Sequence, residues 1–155
     1  MLLSAQVSLY ESQYSGINTS NFSMLDNNGE LLSIGININN VLVLKTNPID
    51  GEVQDSLSFT FSDADSVNLS NSIVTANGDY CFLVSKYIGL NEEAIVMRTD
   101  SDGNVLFSKR YYLDLSATYK VIKEDEFGDL IIGGNVVELN YYLHPILFKI
   151  DANGH

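Results

Sequence analysis

One short acidic segment has the residue types that bind calcium. Asp100, Asp102 and Asn104 alternate with other residues around Gly103, and carboxylate and amide oxygens are typical calcium ligands. An EF-hand loop needs glycine at its sixth position and glutamate at its twelfth, whereas the twelfth residue here is Tyr111. Aspartate followed by glycine also forms an ordinary tight turn. We therefore predict no metal and no cofactor, with calcium at Asp100, Asp102 and Asn104 as the alternative.

Residues suited to catalysis are present but do not form a recognisable active site. Paired carboxylates could hydrolyse a glycoside, and the two acidic clusters are 124–126 and 92–93. We place both clusters in turns, where adjacent acids point in different directions and make no facing pair. The single cysteine, Cys81, lies in an apolar segment typical of a buried strand. His144 precedes another apolar segment, and no nucleophile or metal-protease motif accompanies it. We predict that the chain is not an enzyme.

Tyrosine is the main aromatic residue and is a candidate for binding. The chain has nine tyrosines and no tryptophan. Exposed tyrosine offers an apolar ring with a hydrogen-bonding tip, which suits contacts with proteins or sugars. Adjacent tyrosines recur near the predicted unit boundaries, although packing within a sheet would also favour them. The candidate binding residues are Tyr111, Tyr112, Asn140, Tyr141 and Tyr142.

Charge and hydropathy restrict the partners and the compartment. The net charge is −12, which argues against sequence-independent binding to nucleic acid. No run of 18 apolar residues exists, so we predict no membrane span. Residues 2–5 read Leu-Leu-Ser-Ala and resemble the end of a secretory signal. We expect a secreted, extracellular or cell-surface protein, with the periplasm as a further alternative.

Three sets of landmarks recur with one period and indicate an internal repeat. Successive members of each set lie 49 to 53 residues apart. A shared period in three independent landmarks is a stronger signal than any one of them. The landmarks are Gly29, Gly78 and Gly128; Lys45, Arg98 and Lys149; and Gly51, Gly103 and Gly154.

Each repeat unit has the pattern of four short strands. Asparagine or aspartate before glycine, followed by alternating apolar residues, is a strong hairpin signal. Residues 32–38 alternate between apolar and small or polar types, which is the period of a strand. The apolar runs 41–44 and 146–148 suit strands that are packed on both faces. No segment keeps a helical period, and we expect a strand rather than a helical turn at 66–72.

The repeat resembles the blades of secreted bacterial β-propeller-like proteins. The shared pattern is an apolar run, Lys or Arg, Thr, turn residues, Gly and an alternating strand, over about residues 20–154. The resemblance implies an all-β fold of about three four-stranded antiparallel blades, forming a β-propeller or part of one. The outer-strand aromatic is Phe107 in the second unit and is missing in the first, where Ser56 and Leu57 lie nearby.

Strand order predicts how the blades are completed. We expect one repeat domain over 1–155, with an outer strand at 5–13 and repeats at about 20–62, 68–112 and 117–155, the last lacking its final strand. Three blades do not close a ring, since propellers have about four to eight. The blades are therefore completed by a second copy, giving a six-bladed homodimeric ring, or by missing sequence of a longer propeller. An open stack is the third alternative.

These observations predict a non-catalytic secreted or surface module that recognises protein or carbohydrate. The alternative is a structural or scaffold segment of a larger surface or adhesion protein. A glycoside-active propeller enzyme is the third interpretation. Exposed Tyr and Asn on one face would favour recognition, whereas converging carboxylates in a central funnel would favour an enzyme.

Overall fold

All regular structure in the described part of the chain is β-strand. The computed structural model describes residues 19–89, 91–111, 116–137 and 143–155. Within those ranges it has eleven strands and no helix, and the predicted outer strand at 5–13 lies outside them. The strands are β1 (Thr19–Leu25), β2 (Leu31–Asn37), β3 (Asn40–Thr46), β4 (Val53–Thr60), β5 (Ser66–Val74), β6 (Tyr80–Ile88), β7 (Asn91–Thr99), β8 (Val105–Arg110), β9 (Ser116–Glu124), β10 (Leu130–Val137) and β11 (Leu143–Ile150).

The strands form three antiparallel sheets in which chain neighbours are also sheet neighbours. Sheet 1 has the order β1-β2-β3-β4, sheet 2 the order β5-β6-β7-β8, and sheet 3 the order β9-β10-β11. The sheets are not closed into a barrel. The predicted all-β class with three antiparallel sheets is therefore confirmed, and the strand expected at 66–72 is part of β5.

Sheet 2 lies between the other two sheets and has a hydrophobic core on each face. One core contains Leu32, Ile34 and Val43 of sheet 1 packed against sheet 2 residues such as Phe82 and Met97. The other joins the opposite face of sheet 2 to sheet 3. Because alternate side chains of a strand point to opposite faces, β6 is buried almost throughout.

The apolar run 146–148 is not packed on both faces, contrary to expectation. Leu147 is 74% exposed, because no further sheet covers that side of sheet 3 within the described residues. In the corresponding run of sheet 1, Val41 and Val43 are buried, whereas their neighbours Leu42 and Leu44 are half-buried. The run pattern identified the strands correctly but overstated how much of each strand is covered.

Sheets 1 and 2 each have a face directed toward the next sheet along the chain. We call this face, and the equivalent face of sheet 3, the forward face. The register places an apolar pair and a cation at equivalent positions of this face in all three sheets. In sheet 1 the pairs are Leu32 with Lys45 and Ile34 with Val43; in sheet 2, Cys81 with Arg98 and Leu83 with Val96; in sheet 3, Ile131 with Lys149 and Gly133 with Leu147.

Candidate functional site

Six glycine-containing turns lie at one rim of the sheets, and five of them share one pattern of backbone hydrogen bonds. The turn glycines have φ between +76° and +92°, a conformation that glycine adopts without strain. In four of the turns, one oxygen of the leading aspartate accepts hydrogen bonds from the backbone N–H groups two and four residues later. Those aspartates are Asp26, Asp100, Asp125 and Asp151.

The candidate calcium residues take part in this turn geometry. Asp100 Oδ1 accepts from the backbone nitrogens of Asp102 and Asn104, while the Asn104 amide donates to Asp100 Oδ2 over 2.8 Å. The Asn104 hydrogen bonds lower the pKa of the Asp100 carboxyl. Across the described ranges, no group of three His, Cys, Asp or Glu residues is arranged to hold a metal ion. The carboxylate of Asp100 is thus engaged in fixing the turn.

The repeated cation of sheet 1 connects that sheet to the turn of sheet 2. Lys45 is buried on the forward face, and its Nζ donates to the backbone carbonyl of Ser101 over 2.5 Å. Lys45 Nζ also lies 3.6 Å from the Asp55 carboxylate and 5.7 Å from the centre of the Tyr80 ring. Burial raises the pKa of Tyr80 to about 12. The amine therefore joins two sheets in a largely dry environment.

The same contact recurs one sheet further along. Arg98 donates from Nη1 to the carbonyl of Ala152 over 3.3 Å, and from Nε to the Asp79 carboxylate over 2.9 Å. Ser101 and Ala152 each precede their turn glycine by two residues. The cation of one sheet thus binds the equivalent carbonyl of the next. We call this donor–acceptor pair, with the glycine contact described next, the inter-sheet clasp.

An apolar side chain of the outer strand covers the turn glycine of the next sheet. Leu57 lies against Gly103, where an added Cβ would be 2.9 Å from Leu57 Cδ2. Phe107 lies against Gly154, where an added Cβ would be 3.0 Å from the Phe107 ring. Leu57 therefore takes the place of the aromatic residue that the first repeat lacks. The close approach explains why both positions are glycine.

The described tyrosines are buried or half-buried. Tyr111 is half-buried, its hydroxyl donates to the Gly154 carbonyl over 2.8 Å, and its ring centre is 5.5 Å from that of Phe148. Burial and the nearby charge of Asp151 raise the pKa of Tyr111. The structure thus places Tyr111 at the contact between sheets 2 and 3. The other candidate binding residues, Tyr112, Asn140, Tyr141 and Tyr142, lie outside the described residues.

The acidic cluster 92–93 lies within a strand, whereas the cluster 124–126 begins at the end of a strand and continues into a turn. Glu92 and Glu93 belong to β7 rather than to a turn, so that expectation was wrong. Glu93 binds Lys86 over 3.1 Å and also pairs with Arg110. Glu124 ends β9 and accepts from the backbone N–H of Ala76 in sheet 2 over 2.6 Å. Both glutamates are therefore used in contacts between structural elements.

A groove between the outer strands of sheets 1 and 2 was not anticipated from the sequence. It has a volume of about 590 Å³ and lies between β4 with its following turn and β8 with its preceding turn. Within the described ranges, no strand pairs with the outer edge of either strand. The lining is Ser56, Leu57, Ser58, Phe59, Thr60, Phe61, Ser62, Asp63, Met97, Asp102, Gly103, Val105 and Ser108.

The groove has a polar and acidic character above an apolar base. Five of the thirteen lining residues carry hydroxyl groups and two are aspartates, while Phe59 and Met97 belong to the core beneath the groove. A hydrogen bond from Lys86 over 2.7 Å lowers the pKa of Asp63. The carboxylate of Asp63 is therefore charged at neutral pH. A sequence pattern could not reveal this groove, because its two edges lie about fifty residues apart along the chain.

Comparison with known proteins adds no assignment to this geometry. No protein-family model matches the chain, and a search of curated proteins finds no match. Among the residues that the structure describes, no helix is long and apolar enough to cross a membrane.

Proposed function

We propose that the chain is a non-catalytic recognition module that binds an extended, basic polypeptide segment in the groove between β4 and β8. The observation that carries the proposal is an edge strand lying beside a hydroxyl-rich groove. An edge strand presents unpaired backbone N–H and C=O groups, and an extended peptide can satisfy them by strand addition. The groove offers both the backbone edge and side-chain contacts.

The lining favours a polypeptide over a carbohydrate. Sugar recognition through stacking needs an exposed ring, whereas Phe59 is buried and Phe61 is half-buried. Asp63 and Asp102 line the groove, and the whole chain has a net charge of −12. Electrostatic complementarity therefore favours Lys and Arg in the bound segment and speeds its association. We include a secreted or cell-surface location in this proposal.

The test is binding of displayed extended peptides, with a matched pair of variants. Ser108 pairs with Met97 and so faces the sheet 1 side of sheet 2, at the groove. Ser108→Arg should fill the groove and repel a basic peptide, weakening binding at least about tenfold. Gln54→Arg adds the same charge at an exposed position of β4 that does not line the groove, and should leave affinity unchanged.

Two results would refute the proposal. One is that no basic peptide from the library binds the wild-type chain in fluorescence anisotropy. The other is that Ser108→Arg and Gln54→Arg bind equally well. A glycan array run in parallel identifies the alternative ligand class, since a glycan whose binding Ser108→Arg abolishes would assign the groove to carbohydrate.

A structural role is the second candidate. The described polar residues at the turns are largely engaged within the stack: the Asn27 amide donates to the carbonyl of Ala76 over 3.0 Å, and Lys45 and Arg98 bind neighbouring turns. The described tyrosines are buried or half-buried. These contacts support a rigid spacer within a larger surface or adhesion protein. A scaffold role predicts that groove variants change no binding at all.

A further inference from the structure

The forward faces of the three sheets have the same design but different surroundings. On sheets 1 and 2, the apolar members of the face are buried beneath the next sheet. On sheet 3, the equivalent face is open: Val121, Leu143 and Leu147 are exposed large apolar residues on its surface. The design of this face therefore predicts a neighbouring sheet that the described chain does not supply.

The cation of sheet 3 makes the ion pairs within its own sheet but, among the described residues, not the inter-sheet contact of the clasp. Lys149 Nζ lies 2.7 Å from both Asp125 and Asp129 of its own sheet. Asp129 follows its turn glycine as Asp79 does in sheet 2, so Lys149 and Arg98 make the same contact within their sheets. Arg98 additionally reaches the Ala152 carbonyl of the next sheet. Lys149 is 49% exposed and lies where a further turn carbonyl would be bound.

We propose that the forward face of sheet 3 is an interface that binds sheet 1 of a second copy of this chain. The β3–β4 turn of sheet 1 supplies the equivalent acceptor position. This turn is one residue longer than the turns that begin at Asp100 and Asp151. Two residues therefore match the acceptor: Pro48 follows the leading Asn47, and Ile49 lies two residues before the glycine. Lys149 of one copy then donates to a carbonyl of the Pro48–Ile49 pair in the other copy. The Ile49 side chain is 83% exposed.

The opposite face of sheet 1 has the composition needed to cover sheet 3. In sheet 2 the face directed back toward sheet 1 includes Tyr80, Ile95 and Met97, all in the core. The strand registers place Leu31, Leu42 and Leu44 at the equivalent positions of sheet 1. Their leucine side chains complement the exposed valine and leucines of sheet 3, and burial of such apolar area drives association.

The two contacting surfaces are different, so the assembly is head-to-tail. Such a contact closes into a ring or continues as a filament, whereas a contact between identical faces would stop at a dimer. Two copies would bring six sheets together, and six falls within the range in which β-propellers close. We therefore expect a closed dimer of the 17.1 kDa chain.

The first test measures mass against concentration. Light scattering and sedimentation equilibrium from about 1 to about 300 μM should show wild-type chain passing from monomer to dimer. Leu147→Arg should raise the dissociation constant at least about tenfold, because it places a charge in the apolar contact. Lys120→Glu changes an exposed lysine of β9 that is not one of the paired forward-face residues, and this variant should associate as wild type does. A chain that stays monomeric throughout would overturn the proposal.

The second test separates head-to-tail pairing from pairing of identical faces. Leu147→Arg disables the forward face of sheet 3, and Ile49→Arg sets a like charge against Lys149 on the receiving turn. Each variant alone should remain monomeric, while an equimolar mixture should form a heterodimer through its one intact pair of surfaces. Both substitutions are at exposed side chains, and thermal unfolding confirms that each variant is folded. No heterodimer in the mixture would overturn the proposal.

Discussion

The forward faces of sheet 2 and sheet 3 carry equivalent residues in opposite environments. Val96 is 1% exposed, whereas Leu147 at the same repeat position is 74% exposed. Arg98 is buried and binds the next sheet, whereas Lys149 is half-exposed and binds only its own sheet among the described residues. The repeat therefore determines where a side chain lies, and the neighbouring sheet determines how much that side chain contributes to stability. Matched substitutions at the two faces measure this difference.

The largest expected difference is for a buried charge. Val96→Asp should cost more than about 4 kcal/mol, because it buries a carboxylate in the core between sheets 2 and 3, where the Lys109 amine opposite it already donates to the carbonyls of Asn153 and Gly154. Leu147→Asp should change stability by less than about 0.5 kcal/mol in dilute protein, since its side chain is already in water. Urea unfolding at low micromolar concentration measures both. Equal losses would show that the face of sheet 3 is covered in the monomer.

Strands β9 and β10 of sheet 3 approach each other closely at Gly134, and a comparison with the adjacent Gly133 tests this packing. A Cβ at Gly134 would overlap the Thr118 carbonyl and lie 2.8 Å from Tyr119 Cα, whereas a Cβ at Gly133 meets nothing closer than 3.7 Å. Gly134→Ala should therefore cost about 3 kcal/mol through backbone displacement at the β9–β10 bulge. Gly133→Ala serves as the control and should cost much less. Similar melting temperatures for the two variants would show that the sheet yields easily.

The two cations provide the next comparison. Arg98→Met leaves the largely buried Asp79 without its charged partner and the Ala152 carbonyl without a donor, so a loss of about 2 kcal/mol is expected. Lys149→Met removes a solvent-screened pair and should cost much less at low protein concentration. Thermal unfolding of the two variants beside wild type measures the ratio. A larger loss of stability for Lys149→Met than for Arg98→Met would contradict the conclusion that Arg98 is the buried inter-sheet contact and Lys149 the solvent-screened one.

The smallest effect is the pH dependence of the Lys149 contribution. Hydrogen bonds to Asp125 and Asp129 raise the pKa of Lys149 to about 12, and the Lys149 hydrogen bond lowers the pKa of Asp125 below its ordinary 3.8. A raised lysine pKa gives stability that is lost as pH rises from 10.5 toward 12, and a lowered aspartate pKa gives stability that is lost as pH falls below 3.8.

The melting temperatures of wild type and Lys149→Met should therefore differ most between about pH 4 and pH 10 and converge on either side. Lys120→Met controls for the general effect of removing a surface charge, and its difference from wild type should follow no such window. A gap for Lys149→Met that is constant from pH 3 to pH 11 would contradict the pairing.

The sequence predicted what depends on local chemistry. Asx-Gly turns and alternating strands identified three repeat units, because a positive φ and a two-residue period both leave residue patterns. The role of the repeated cation was not predicted, because Lys45 and Arg98 bind backbone carbonyls, which every residue carries. Their recurrence five or six residues before a turn glycine was the available signal. Glu93 was placed in a turn because its ion pairs come from β6 and β8, which a local pattern does not show.

In the proposed assembly, Lys149 occupies the position of Lys45 and Arg98 but gains a neighbouring sheet only when a second copy binds. Reductive methylation of the folded chain, read by mass spectrometry at low and high concentration, tests this directly. The buried Lys45 amine should react slowly at both concentrations, whereas the Lys149 amine should react quickly in dilute protein and become protected as the chain associates. Lys149 reactivity that does not change with concentration would contradict the proposed interface.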